Sequence, residues 1–231
     1  QDTTQDLNRT IATYLDEGYR RVKIKIKPGK DLSVVEAVRR SYPSLPLMVD
    51  ANGAYCLSDS ALFEAMDGWG LMMIEQPLAP DDVVDHAKLQ ARVKTPLCLD
   101  ESIQNPYFAQ VAAELGACRI INIKQGRVGG LSAAKEINDV AQAKRMGVWC
   151  GGMLETGIGR AVNVALASLP NFVYPNDISA SKRYWERDII DPPFSLNPDG
   201  TLDVPSAAGL GVTVDERALA RVTLAREVIR L

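Results

Sequence analysis

The chain has 231 residues, 46% of them apolar and 24% charged, with 26 Lys plus Arg against 29 Asp plus Glu and a formal net charge of −3. This apolar fraction excludes a disordered tail protein, and the mild acidity leaves no electrostatic footprint for nucleic acid or an anionic membrane surface. No stretch approaches the ~18 apolar residues that a membrane span needs.

The first residues, Gln1-Asp2-Thr3-Thr4-Gln5-Asp6, are polar and acidic, unlike a signal peptide, and there is no starting Met, so a fragment is the expectation. A helix is predicted over 7–18, with Leu7, Ile11 and Leu15 on one face and Gly18 as its stop. Apolar strand-like runs then follow at 21–25, 45–50, 71–75, 95–100, 119–124, 147–151 and 171–174, with Met72 and Met73 read as strand core. Amphipathic stretches such as 131–145 and 161–169 lie between them. His86 falls in the polar pattern 82–88 and is expected to be a solvated helix residue. After Tyr184 the chain turns rich in Pro, Asn, Asp and Gly, and a last helix is predicted over 215–229. Cys56, Cys98, Cys118 and Cys150 form no C-x-x-C pair, which removes zinc-ribbon and thioredoxin-type readings and leaves four reduced, packed thiols in a cytoplasmic protein.

Five runs end on Lys25, Asp50, Glu75, Asp100 and Lys124, at steps of 25, 25, 25 and 24 residues. Strands alternating with helices at a fixed step imply a parallel sheet. So many units favour an α/β fold of the closed (β/α)8 type, and no G-x-G-x-x-G follows the first strand to support a dinucleotide-binding sheet. Seven strands are counted, so the first strand of such a barrel is expected upstream of Gln1. The domain reading is a barrel over 1–184 and a tail outside it over 185–231.

Charges at the ends of apolar strands cost several kcal/mol each if left unpaired, and the C-terminal rim is where barrels of this type carry their chemistry. Asp50, Glu75 and Asp100 on consecutive strands would repel one another unless a cation neutralised them. All three are hard oxygen donors with no His or Cys nearby, a set that selects Mg²⁺, with Mn²⁺ as the alternative. The competing reading pairs each carboxylate with a local Lys or Arg, or sets it as a helix cap. Lys25 and Lys124 flank the acids and would face each other across the metal. Lys23, two residues before Lys25, points the same way, and one ammonium beside another favours proton loss, so that one can act as a base; a solvated edge strand is the plainer alternative. The implied chemistry is proton abstraction next to a carboxylate, with the cation stabilising the enediolate.

The motifs Lys23-Ile24-Lys25, Val49-Asp50-Ala51-Asn52, Ile74-Glu75-Gln76-Pro77, Leu99-Asp100-Glu101-Ser102 and Asn122-Ile123-Lys124, together with 126–130 and 151–160, resemble the enolase superfamily. The likeness is to its muconate-lactonising branch, and within that to the o-succinylbenzoate synthase and N-acylamino acid racemase family, where lysine and Mg²⁺ act on an enediolate. It implies that Asp50, Glu75 and Asp100 are metal ligands, Lys25 the general base and acid, Lys23 its electrostatic partner and Lys124 the opposite lysine. The implied reaction is Mg²⁺-dependent syn-dehydration of a succinyl-hydroxycyclohexadiene carboxylate in menaquinone synthesis, or racemisation of an N-acylated amino acid. Arg127 either biases Lys124 or makes a surface ion pair. Asn52 either assists the metal or opens the turn before Gly53. Gly151 and Gly152 would let backbone approach a ligand, beside Met153 as a substrate contact, or simply form a turn. Glu101 is read as backing Asp100 or pairing with a neighbour. The family's N-terminal capping domain and first strand are not in this sequence, and the tail is expected to pack toward that cap. A small carboxylate substrate and assembly into a homo-oligomer are the expected partners. A Schiff-base aldolase and a non-catalytic Mg²⁺-binding barrel are the competing classes.

Overall fold

A computed structural model describes residues 4–229. The order of elements is α1 (Thr4–Asp16), β1 (Val22–Lys25), α2 (Leu32–Ser41), β2 (Leu47–Asp50), α3 (Ser60–Met66), β3 (Ile74–Glu75), α4 (Val83–Arg92), β4 (Leu97–Leu99), α5 (Pro106–Leu115), β5 (Ile120–Ile123), α6 (Gln125–Val128), α7 (Leu131–Ala143), β6 (Gly147–Cys150) and α8 (Gly157–Ala167). A short antiparallel pair, β7 (Ile190–Asp191) and β8 (Thr213–Val214), precedes α9 (Glu216–Val222). Strands β1 to β6 form one parallel sheet in chain order. It is a curled half-barrel with helices on its outer face.

Side-chain alternation along each strand separates two apolar sets. Leu47, Val49, Ile74, Leu97, Leu99, Ile121, Ile123 and Val148 face outward and pack against the helices, among them Val35, Phe63, Leu89 and Ile137. Each such fully buried side chain contributes about 1.5–3 kcal/mol. Met48, Met73, Cys98, Ile120 and Trp149 face inward as a separate cluster. Sequence sets the boundaries locally. Asp31 and Asp82 accept backbone N–H groups at the starts of α2 and α4, Asn105 does so for α5 with Pro106 as its first residue, and Gly116 ends α5 at φ +67°.

Several expectations are corrected. The run at 171–174 contributes only one parallel bridge, Phe172 to Val148, so the sheet has six named strands among the described residues. The predicted strand 71–75 narrows to Ile74–Glu75, although Met73 stays buried. The last helix stops at Val222, and Leu224, Val228 and Ile229 beyond it stand exposed. All four cysteines are free, but Cys56 is exposed, beside Ser58 and Asp59 in a turn. Within the tail, Ile190 and Phe194 pack on Ala161 and Val164 of α8.

His86 is not solvated. It is fully buried in α4, its Nε2 accepting from the Leu78 N–H at 3.1 Å and its Nδ1 lying 2.6 Å from the Asp82 carbonyl. A carbonyl can only accept and an N–H can only donate, so the two partners select the neutral Nδ1–H tautomer. Burial holds its pKa below the ordinary value despite the Asp82 carbonyl.

Candidate active site at the strand ends

Strand register builds the site. Lys25 pairs with Asp50, and Asp50 with Glu75, so these three ends form one row. Glu75 pairs with Cys98, which carries Asp100 two residues further toward the mouth. Asn122 extends the polar layer on β5, and Lys124 follows two residues later. The inward apolar cluster lies beneath this layer, so Asp50, Glu75 and Asp100 are almost wholly removed from water.

Two lysines and an arginine occupy the flanking acids. Lys25 Nζ is 2.6 Å from Asp50 Oδ2 and also donates to Asn52 Oδ1. Lys124 Nζ donates to Asp100 Oδ2 at 2.8 Å, and Arg127 donates to Asp100 Oδ1. Arg127 therefore does not form a surface pair, since the Asp100 side chain is fully buried. Between the two lysine-held acids sits Glu75. Its Oε1 accepts from Asn122 Nδ2 at 2.8 Å, while its Oε2 accepts no hydrogen bond and lies 3.4 Å from Lys23 Nζ. Burial raises the Glu75 pKa to about 7; Lys23 opposes that shift, and the Asp50 and Asp100 charges add to it.

Lys23 is gripped by acids instead of being a solvated edge residue. Its ammonium is 2.9 Å from Asp177, 3.4 Å from Glu75 and 3.5 Å from Asp50, and 5.4 Å from the centre of the Trp149 ring. Burial alone would depress its pKa, but the three carboxylates outweigh that and raise it. Lys23 is thus held as a cation.

Asn52 opens the turn before Gly53, as one of its two expected readings has it. Its φ is +44° in the turn before Gly53, and its amide joins Lys25 to Glu101 Oε1 at 3.0 Å. Gly151, Met153, Lys124, Arg127 and Glu155 line a cleft of about 360 Å³, with Met153 largely exposed. A Cβ on Gly151 would collide with the Asn122 amide and with Lys124 Cε, and one on Gly152 would collide with the Asp177 carbonyl. The smallness of both residues therefore has an explanation inside the protein. A larger cleft of about 600 Å³ in the tail, lined by Lys182, Trp185, Asp188 and Phe194 among others, shares no residue with this one.

Three site residues were given no role by the sequence reading, although two of them, Gln76 and Asn122, stand inside its motifs. Asn122 is a polar residue inside the apolar run Ile120-Ile121-Asn122-Ile123, a signal that was available. Gln76 is fully buried with φ +39° and bonds four groups of neighbouring chain: its Oε1 accepts from Asp100 N and Ser102 N, and its Nε2 donates to Leu78 O and Ser102 Oγ. Asp177 carries no motif.

Hard oxygen donors, three neighbouring strand ends and the unbonded Glu75 Oε2 fit a divalent cation. As the side chains stand, no three His, Cys, Asp or Glu residues among the described residues converge into a closed metal cluster. The oxygens of Asp50 and Asp100 are taken by Lys25, Lys124 and Arg127 instead. Among the described residues no helix is long and apolar enough to cross a membrane.

Residues 6–218 match the family described as enolase C-terminal domain-like. The chain is 55% identical over 223 residues to an o-succinylbenzoate synthase of Geobacillus kaustophilus, covering 96% of this chain and 59% of that protein. It is 50% identical over 226 residues to an N-succinylamino acid racemase of an Amycolatopsis species, covering 97% and 61%. A crystal structure of an enolase superfamily member from Listeria innocua superposes with a TM-score of 0.91 at 48% identity, covering 96% of this chain and 59% of that one. The chain spans about three fifths of the length of these relatives.

Proposed function

The chain belongs to the enolase C-terminal domain-like family, and on that premise we propose that the protein of which it is part is a Mg²⁺-dependent o-succinylbenzoate synthase. It would catalyse syn-dehydration of a succinyl-hydroxycyclohexadiene carboxylate, a step of menaquinone synthesis. The observation that carries this reading is the arrangement Lys25–Asp50, Glu75, Asp100–Lys124 along adjacent strand ends. The Geobacillus likeness supports the choice of reaction.

In this proposal Asp50, Glu75 and Asp100 hold the cation. Bound there, a divalent ion supplies the positive charge that offsets the negative charge developing on the substrate carboxylate. Lys25 and Lys124 then give up their acidic partners and turn to the substrate. Lys25 removes the proton next to the carboxylate and returns it to the departing hydroxyl. Lys124 stays charged on the opposite face, in the cleft it shares with Arg127 and Met153. Lys23, fixed by acids, remains a cation and does not exchange protons. Asn122 orients Glu75 through its hydrogen bond. Gly151 leaves room for Lys124 and Asn122 at the wall of the cleft, where a Cβ would collide with both. A barrel closed by an upstream strand, a capping domain before it and a tail over 185–231 packed toward that cap complete the proposed protein.

A dedicated N-acylamino acid racemase is the second reading, favoured by the Amycolatopsis relative and by two lysines flanking one site. The deciding assay supplies full-length protein and Mg²⁺ with each candidate substrate. Dehydration much faster than racemisation supports the synthase and the reverse supports the racemase, while turnover of neither defeats both. EDTA should abolish activity and Mg²⁺ restore it; activity that survives thorough chelation removes the metal role.

A further inference from the structure

Resting on the metal reading above, we propose that Asp177 is a positioning residue: it holds the Lys23 ammonium at a standoff from Glu75, whose Oε2 accepts no hydrogen bond and so stays available for a cation. The distances carry the argument. Lys25 and Lys124 close on Asp50 and Asp100 to 2.6 and 2.8 Å. Lys23 instead stays 3.4 Å from Glu75 and 3.5 Å from Asp50, although both are buried carboxylates within reach of a flexible stem. What separates it from them is Asp177, whose Oδ2 takes the ammonium at 2.9 Å.

The segment around Asp177 is built to keep that carboxylate in place. Its N–H donates to the Cys150 carbonyl at 2.9 Å, and Asn176 Oδ1 accepts from Cys150 N at 2.7 Å, which pins the backbone to the end of β6. Its own carbonyl lies against Gly152, at a place no Cβ could share. Arg21, two residues before Lys23, donates to the Pro175 carbonyl at 3.2 Å, so 21–23 and 175–177 are joined twice. The Trp149 ring lies near both cations, 5.1 Å from the Arg21 guanidinium and 5.4 Å from Lys23 Nζ. Remove the Asp177 charge, and the ammonium has only Glu75 and Asp50 to neutralise it. It then settles on them and competes with any cation they bind.

The test measures Mg²⁺ affinity by titration calorimetry on full-length protein, in D177N, D177E, K23M and D177N/K23M, with a crystal structure of metal-free D177N. D177N is expected to bind Mg²⁺ about 10- to 100-fold more weakly, with Lys23 Nζ moved to hydrogen-bonding distance of Glu75 or Asp50. D177E, which keeps the charge, should retain most of the affinity and serves as the comparison if D177N is poorly folded. The decisive comparison is in the K23M background, where Asp177→Asn should change the affinity little, because the competing ammonium is gone. An equal loss in both backgrounds, or Lys23 unmoved in the D177N crystal, overturns the proposal. Wild-type protein that binds no Mg²⁺ defeats the metal reading instead, and the crystal of D177N then decides the standoff alone.

Discussion

Replacing Gln76 with leucine removes one amide that serves two of the proposed ligand strands. The side chain is fully buried and spans from the Glu75 end of β3 to the Asp100 end of β4. Its Oε1 accepts from the backbone N–H groups of Asp100 at 3.0 Å and Ser102 at 3.2 Å, and its Nε2 donates to the Leu78 carbonyl at 3.0 Å and to Ser102 Oγ at 2.8 Å. Leucine fills much of the same space, so the loss is polar and not volumetric. It leaves two buried N–H groups unsatisfied, at about 1–3 kcal/mol each, offset in part by the apolar carbons gained. A net loss of about 2–4 kcal/mol follows, a large fraction of the about 5–15 kcal/mol that domains possess. Urea titration and scanning calorimetry of full-length Q76L measure it, and Mg²⁺ affinity should fall in parallel because Asp100 loses its anchor. A stability loss below about 1 kcal/mol, with unchanged Mg²⁺ affinity, would refute the reasoning.

Gly151→Ala places a methyl 2.6 Å from Lys124 Cε and 2.6 Å from Asn122 Nδ2; overpacking of this kind costs about 1–3 kcal/mol. Turnover should drop sharply while far-UV circular dichroism stays the same, and wild-type turnover would count against the placement of Asn122 and Lys124. His86 makes stability depend on pH. Its pKa is lowered in the fold from an ordinary 6.5, so below that pH the unfolded chain binds the proton more readily. Its contribution is present in full above about 6.5 and is lost as pH falls toward the folded value. Urea midpoints at neutral and mildly acidic pH should differ less in H86N than in wild type; an equal difference would mean that His86 titrates normally.

The strand ends were legible because a charged residue closing an apolar run is locally conspicuous: Lys25, Asp50, Glu75, Asp100 and Lys124 all end strands or directly follow them. The parallel order of the sheet followed from the same step length. What escaped depends on contacts distant in sequence. His86 sits among Asp82, Asp85 and Lys88, a pattern that looks solvated, yet its ring turns inward to a backbone N–H eight residues earlier. Asp177 meets Lys23 across more than 150 residues, and no periodicity encodes that. The tail helix was drawn too long because 224–229 keeps an apolar pattern although its apolar side chains are exposed. Cys56 was expected to be packed but is exposed, its thiol lying against Ser58 and Asp59.

The inward cluster of Met48, Met73, Cys98, Ile120 and Trp149 is sealed, each side chain 1% exposed or less. Such a plug shuts off the floor beneath Asp50, Glu75 and Asp100, so that nothing reaches those carboxylates from below.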